Sequence, residues 1–230
     1  AVLDIAADLK SRWLYGIYSM GRDAIAAAEQ DRFAYVIPAD QWDPDEARNL
    51  VKILMQGGIE IQQASEGFSA RGQDFAAGSY IVYGDQAFRN YAIDLLEAQQ
   101  YPDRRRTPDG PPDPPYDLAG WTLPMQMGVN VVRMDEAFSA SAQAVDSFPE
   151  TTAGSVGGDA DYGFALSPQT NTSATAINRL TKAGIEVQRS EAAFSANNQD
   201  FPLGTYIVRN EGRSARRQVN QIAEDLGLDF

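Results

Sequence analysis

The chain has 230 residues, 43% of them hydrophobic, carries a net charge of −13, and contains neither histidine nor cysteine. That length suits one large domain or two small ones, and the composition is that of a folded chain rather than a disordered one. The acidic balance argues against a nucleic-acid partner, whose affinity rests on Lys and Arg against phosphates. The absent residue types rule out disulfides, thiolate nucleophiles, histidine-based acid–base machinery and Cys/His zinc sites in these residues.

In chain order, Asp4 to Gln30 reads as helical, with Trp13, Ile17, Ala24 and Ala28 at near-helical spacing. Phe33 to Ile37 is a short apolar run stopped by Pro38, the pattern of a buried strand. Asp43-Pro44-Asp45-Glu46 then opens a helix: Asp43 caps it, Pro44 suits the first turn, and the acidic residues complement the helix dipole. Ala47, Leu50, Val51, Leu54 and Met55 form its apolar stripe, and Gly57-Gly58 ends it. Ile59 to Gln63 continues as a strand, Ser69 to Gly78 as a hairpin or loop, Tyr80 to Tyr83 as a third strand, and Ala87 to Leu96 as a second helix.

The chain then repeats itself. Residues 58–82 and 184–208 are identical at 14 of 25 positions, at a constant offset of 126. Phe164 to Leu166, Ile185 to Val187 and Tyr206 to Val208 stand where the first three strands stood, and Ala215 to Leu226 forms a closing helix stripe. The expected fold is therefore α/β: duplicated β-α-β-β-α units forming a mostly parallel, mixed sheet flanked by helices. The expected divisions are an N-terminal helical segment at 1–32, a first repeat at 33–100, a connector at 101–161 and a second repeat at 162–230, with both repeats sharing one body. The connector opens on a proline-rich stretch, YPDRRRTPDGPPDPPYD, that forbids helix. It then offers a short helix at Trp121 to Met127, a strand at Val129 to Val132, and a Gly/Ser/Thr-rich loop.

Motifs that suggest chemistry are weak. Gly154-Ser155-Val156-Gly157-Gly158 lacks the Lys of a phosphate loop and has no His to serve a nucleophile elbow, so it reads as plain loop. Asp159 and Asp161 make a two-carboxylate pair without the remaining ligands of a calcium loop. Gln73-Asp74-Phe75 recurs as Gln199-Asp200-Phe201, which duplication and turn chemistry explain. No catalytic residue, metal ligand or cofactor site is assigned. Trp42, Tyr116 and Trp121 are aromatics in or beside loops and form a candidate binding surface.

Several stretches carry a resemblance: Arg12-Trp13-Leu14-Tyr15, Met20-Gly21-Arg22-Asp23, Ala34-Tyr35-Val36-Ile37-Pro38-Ala39-Asp40-Gln41, Gly78-Ser79-Tyr80-Ile81-Val82, and Pro114-Pro115-Tyr116-Asp117 leading to Gly120-Trp121-Thr122-Leu123-Pro124-Met125-Gln126-Met127-Gly128. Together they resemble the region that follows the catalytic domain in large bacterial zinc carboxypeptidase-like proteins, of the carboxypeptidase A-like class. The resemblance implies an exported parent protein whose zinc and catalytic residues lie in another domain. It implies that this chain is a non-catalytic accessory region, packing on that catalytic domain or shaping access to it, with Trp13 and Ile17 at the interface. The competing expectation is a two-lobed module closing on a peptide or small molecule. A third expectation is a metal-dependent hydrolase using Asp159 or Asp161.

Overall fold

The computed structural model describes residues 2–98, 102–114, 122–158, 160–197 and 199–230. The chain divides into two compact units, residues 1–41 with 49–148 and residues 42–48 with 149–230.

The first unit begins with α1 (Val2–Asp8) and α2 (Lys10–Ala27), followed by β1 (Ala34–Ile37). Helix α3 (Pro44–Gln56), whose start through Arg48 is grouped with the second unit, leads to β2 (Gln62–Ala64), the hairpin β3 (Phe68–Ala70) and β4 (Gln73–Phe75), β5 (Tyr80–Tyr83) and α4 (Arg89–Leu96). After the proline-rich connector come α5 (Leu123–Met127), β6 (Val132–Met134) and β7 (Ala142–Ala144). The second unit holds β8 (Gly163–Leu166), α6 (Asn171–Lys182), β9 (Val187–Arg189), the hairpin β10 (Phe194–Ala196) and β11 (Gln199–Phe201), β12 (Tyr206–Arg209) and α7 (Arg213–Leu226).

The expected mostly parallel sheet is not what forms. Every ladder among the described residues is antiparallel, in a five-stranded sheet ordered β6-β1-β5-β2-β7, a three-stranded sheet ordered β8-β12-β9 and two hairpins. The reason lies in the crossover. β1 and β2 run the same way, because both lie antiparallel to β5. The β1-α3-β2 connection skips one sheet position, and β5 fills the gap. β8-α6-β9 with β12 between repeats this split arrangement. The strands that each helix connects are therefore not neighbours, and the expected parallel pairing does not occur.

Alternation along the strands builds the cores. In the first unit Ala34, Val36 and Ile81 join Ala64, Ala70, Phe75 and Met134 in one buried cluster on the hairpin side. Tyr35, Ile37 and Val82 point to the opposite face and are equally buried, as are Leu50, Val51 and Leu54 of α3. In the second unit Phe164, Leu166 and Val208 meet Ala176 and Leu180 of α6 and Ala215, Val219 and Ile222 of α7.

The two hairpins show that the recurring Gln-Asp-Phe is architectural. Ser69 donates to Asp74 across β3–β4 and Ser195 to Asp200 across β10–β11, each at 2.5 Å. Phe68 stacks on Phe75 at 5.1 Å, and Phe194 on Phe201 at 5.0 Å. Gly78 and Gly204, both at positive φ, carry the turn into the following strand.

Candidate functional site

Three places in the described residues hold unusual arrangements. The first is the surface of α1 and α2. Of the residues of these two helices only Ala24 is buried, whereas Trp13, Leu14, Tyr15, Ile17, Tyr18 and Met20 are all more than 60% exposed. Trp13 and Ile17, singled out from the sequence, are 62% and 69% exposed. The four-residue spacing puts them on one face of α2. Leu14 and Tyr18 share the same spacing one residue on, so the apolar surface is broad. Exposed apolar patches are commoner at contact surfaces than elsewhere on folded chains.

The second is a cleft of about 440 Å³ in the first unit, between the end of α2 and the sheet. Phe33, Tyr83 and Phe138 supply aromatic lining, with Tyr83 and Phe138 stacked at 5.9 Å. Glu29, Arg32, Asp85 and Glu136 also line it. Burial, with the negative Asp85 as a lesser cause, raises the Tyr83 pKa and keeps its hydroxyl protonated. The cleft contains no nucleophile–base pair. Its chemistry is that of an aromatic hollow edged mainly by negative charge.

The third is a polar cluster on the sheet face opposite the hairpin. Tyr35 on β1 lies directly across from Arg133 on β6. The Tyr35 hydroxyl donates to Glu97 Oε1 at 2.5 Å, Arg133 forms an ion pair with the same carboxylate, and Arg133 Nε donates to Asp135 at 2.7 Å. Burial and the Glu97 carboxylate both raise the Tyr35 pKa. Burial works against the charge on Arg133, but Asp135 and Glu97 outweigh it and hold the guanidinium protonated. Each group satisfies another, which is the signature of a structural network rather than of a site waiting for substrate.

The Tyr35 shift has a testable sign. A phenol whose folded pKa is raised favours the folded state while protonated. That stabilisation is complete below the unfolded tyrosine pKa of about 10 and is lost as pH climbs through the higher folded value. Tyr35→Phe should therefore flatten the alkaline decline in stability, read as urea midpoints at about pH 8 and about pH 11. Parallel declines in the parent chain and the variant would show that another group titrates.

The remaining sequence candidates fall elsewhere. Trp42 is 72% exposed, and its backbone carbonyl accepts from Gln169. Tyr116, Trp121 and Asp159 lie outside the described residues, while Asp161 is exposed. Among the described residues no group of three Asp or Glu is placed to hold a metal ion, and no helix is long and apolar enough to cross a membrane. The glycine loop is occupied by its own unit: Ser155 donates through both its backbone N–H and its hydroxyl to Asp229 at 2.8 Å, and Gly157 N–H donates to the Phe230 carbonyl at 2.8 Å. A Cβ on Gly154 would lie 2.2 Å from the Leu228 backbone, so glycine is there for close approach.

The acidic run at the start of α3 is likewise occupied. Asp43 Oδ1 accepts from the N–H groups of Asp45 and Glu46, and Oδ2 accepts from the N–H of Asn171 at the start of α6. Asp45 accepts from the Thr172 hydroxyl at 2.6 Å, and Glu46 from the Asn171 side chain at 3.2 Å.

No protein-family model, no curated protein and no solved structure matches this chain.

Proposed function

We propose that the chain is a non-catalytic accessory region of a zinc carboxypeptidase-like protein, and that it docks on the catalytic body of that protein through α1 and α2. The observation that carries this reading is the exposed apolar surface of those helices, with Trp13 and Ile17 on one face of α2. The wording of the Arg12-Trp13-Leu14-Tyr15 and Gly120-Trp121-Thr122-Leu123-Pro124 stretches supports the same assignment. The zinc and the bond-breaking residues belong to the partner domain, and an exported parent agrees with that reading. The role of this chain is positioning: it covers or frames the catalytic body and orders the approach to it.

The docking face gives a direct test. The chain and a separately produced zinc carboxypeptidase-like catalytic domain from the same gene should co-elute as one species on size exclusion. Trp13→Asp with Ile17→Asp should weaken that association by about a hundredfold, as loss of two buried apolar anchors does. The same double variant should melt with the parent chain, because neither side chain is packed in the free protein. Independent elution of the two proteins, or unchanged association of the variant, would refute the docking role.

A further inference from the structure

The duplication allows one unit to be read against the other. In the first unit, residues 132–145 run as a continuous band. β6 pairs with the outer edge of β1, the chain crosses the hairpin face, and β7 pairs with the outer edge of β2. On the way Phe138 stacks on Phe68 at 5.5 Å, and Ala140 and Ala142 pack on the buried cluster. At the far edge Ser65 N–H donates to the Ser141 carbonyl at 2.8 Å, and Val145 N–H to the Ile61 carbonyl at 2.9 Å.

The second unit repeats the strands and the hairpin but has no such band among the described residues. Its sheet ends at β9, whose only ladder partner among the described residues is β12. The consequences appear at equivalent positions. Ile81 is fully buried whereas Ile207 is half-exposed, Phe75 is buried whereas Phe201 is half-exposed, and Ala70 is buried whereas Ala196 is exposed. The backbone bonds Arg209 N–H to the Glu186 carbonyl and Ser190 N–H to the Thr205 carbonyl show which residues of β9 face β12. By alternation Val187 and Arg189 present their N–H and C=O groups outward, as Ile61, Gln63 and Ser65 do toward β7.

We infer that the outer edge of β9 is a strand-addition site, and that its occupant is an extended segment of a partner protein with the chemistry of residues 138–145: an aromatic residue followed by uncharged, mostly small residues in strand alternation. Main-chain hydrogen bonds to Val187 and Arg189 supply register. The aromatic ring covers the Phe194–Phe201 pair as Phe138 covers Phe68, and the small residues admit close approach to Ile207. The partner completes in the second unit what β6 and β7 complete in the first.

The probe is a synthetic peptide with the sequence of residues 135–146, added to the intact chain and followed by amide hydrogen exchange. The expected result is exchange slowed about tenfold or more at Val187 and Arg189. N-methylation of the peptide at Gln143, whose counterpart pairs with Gln63, should abolish the effect. N-methylation at Ala144, on the opposite edge of that strand, should leave it intact. Protection confined to β2 would mean that the peptide has merely displaced β7, and would overturn the inference. So would indifference to either methyl group. Val187 and Arg189 amides already slow in the free chain, and slower at higher protein concentration, would assign the edge to a second copy and equally refute the peptide partner.

Discussion

Phe33→Ala is expected to destabilise the first unit by about 3–5 kcal/mol, the range for removing a buried aromatic ring. Two cations make this ring more than a space-filler. The Arg89 guanidinium lies 4.2 Å from its centroid and the Arg133 guanidinium 4.5 Å. Arg89 is itself buried, donating to the Asp31 carbonyl at 3.0 Å and paired with the Asp31 carboxylate. Tyr35 meets Phe33 edge-on at 5.2 Å, and the ring packs so tightly on Gly84 that a Cβ there would come within 2.8 Å. Removing the ring opens a cavity and leaves two guanidinium faces without their π partner, each worth about 0.5–2 kcal/mol. Phe33→Leu separates the two effects, since it restores most of the volume and none of the quadrupole. Urea unfolding should place Phe33→Leu between the parent chain and Phe33→Ala. Equal stability of the leucine variant and the parent would show that the cation contacts contribute nothing.

Asp43→Ala should cost about 2–3 kcal/mol, well above the roughly 1 kcal/mol of an ordinary helix cap. One buried carboxylate serves two helix starts, with Oδ1 on the first turn of α3 and Oδ2 on Asn171 of α6. Alanine leaves three backbone N–H groups without their acceptor in a partly buried site. Asp43→Asn retains a single side-chain acceptor oxygen and should lose about half as much. Amide exchange at Glu46 and Asn171 gives the readout: alanine should accelerate both, asparagine only one. If alanine accelerates Glu46 alone, the carboxylate is an ordinary cap of α3 and the second bond contributes nothing.

Asp43 also shows where sequence reading stops. Asp-Pro-Asp-Glu before an apolar stripe announces a helix start, and the cap is where that pattern puts it. Its second client lies 128 residues away and leaves no local trace. The duplication is plain in the sequence, and so are the strands beginning near Ala34, Tyr80 and Tyr206. The parallel sheet was wrong because the order of elements does not say which strands are neighbours; β5 and β12 enter between strands that the chain made earlier. β7 has no local signature because Ser141-Ala142-Gln143-Ala144 carries no β-branched or large apolar residue, and its pairing with β2 decides its structure. Trp13 and Ile17 fell on a face of α2, but so much of that helix is exposed that spacing alone could not define its buried side. The Phe33 stack had no signal at all, since Arg89 reads as the polar side of an ordinary helix.

The split crossover also sets the order in which the chain can acquire structure during synthesis. β1 and β2 are not neighbours, so within the repeat neither has a ladder partner until β5 has been made, and the same holds for β8 and β9 before β12. A nascent first unit therefore has helices and a hairpin but no sheet until Tyr80 to Tyr83 leaves the ribosome, and the sheet then assembles by insertion of one central strand. β5 reads Tyr-Ile-Val-Tyr and β12 reads Tyr-Ile-Val-Arg, so the two central strands differ only at their last position. Directional synthesis resolves the ambiguity, because the first gap is filled before the second key strand exists. Refolding from denaturant removes that protection and exposes the chain to exchange of central strands between its repeats or between copies.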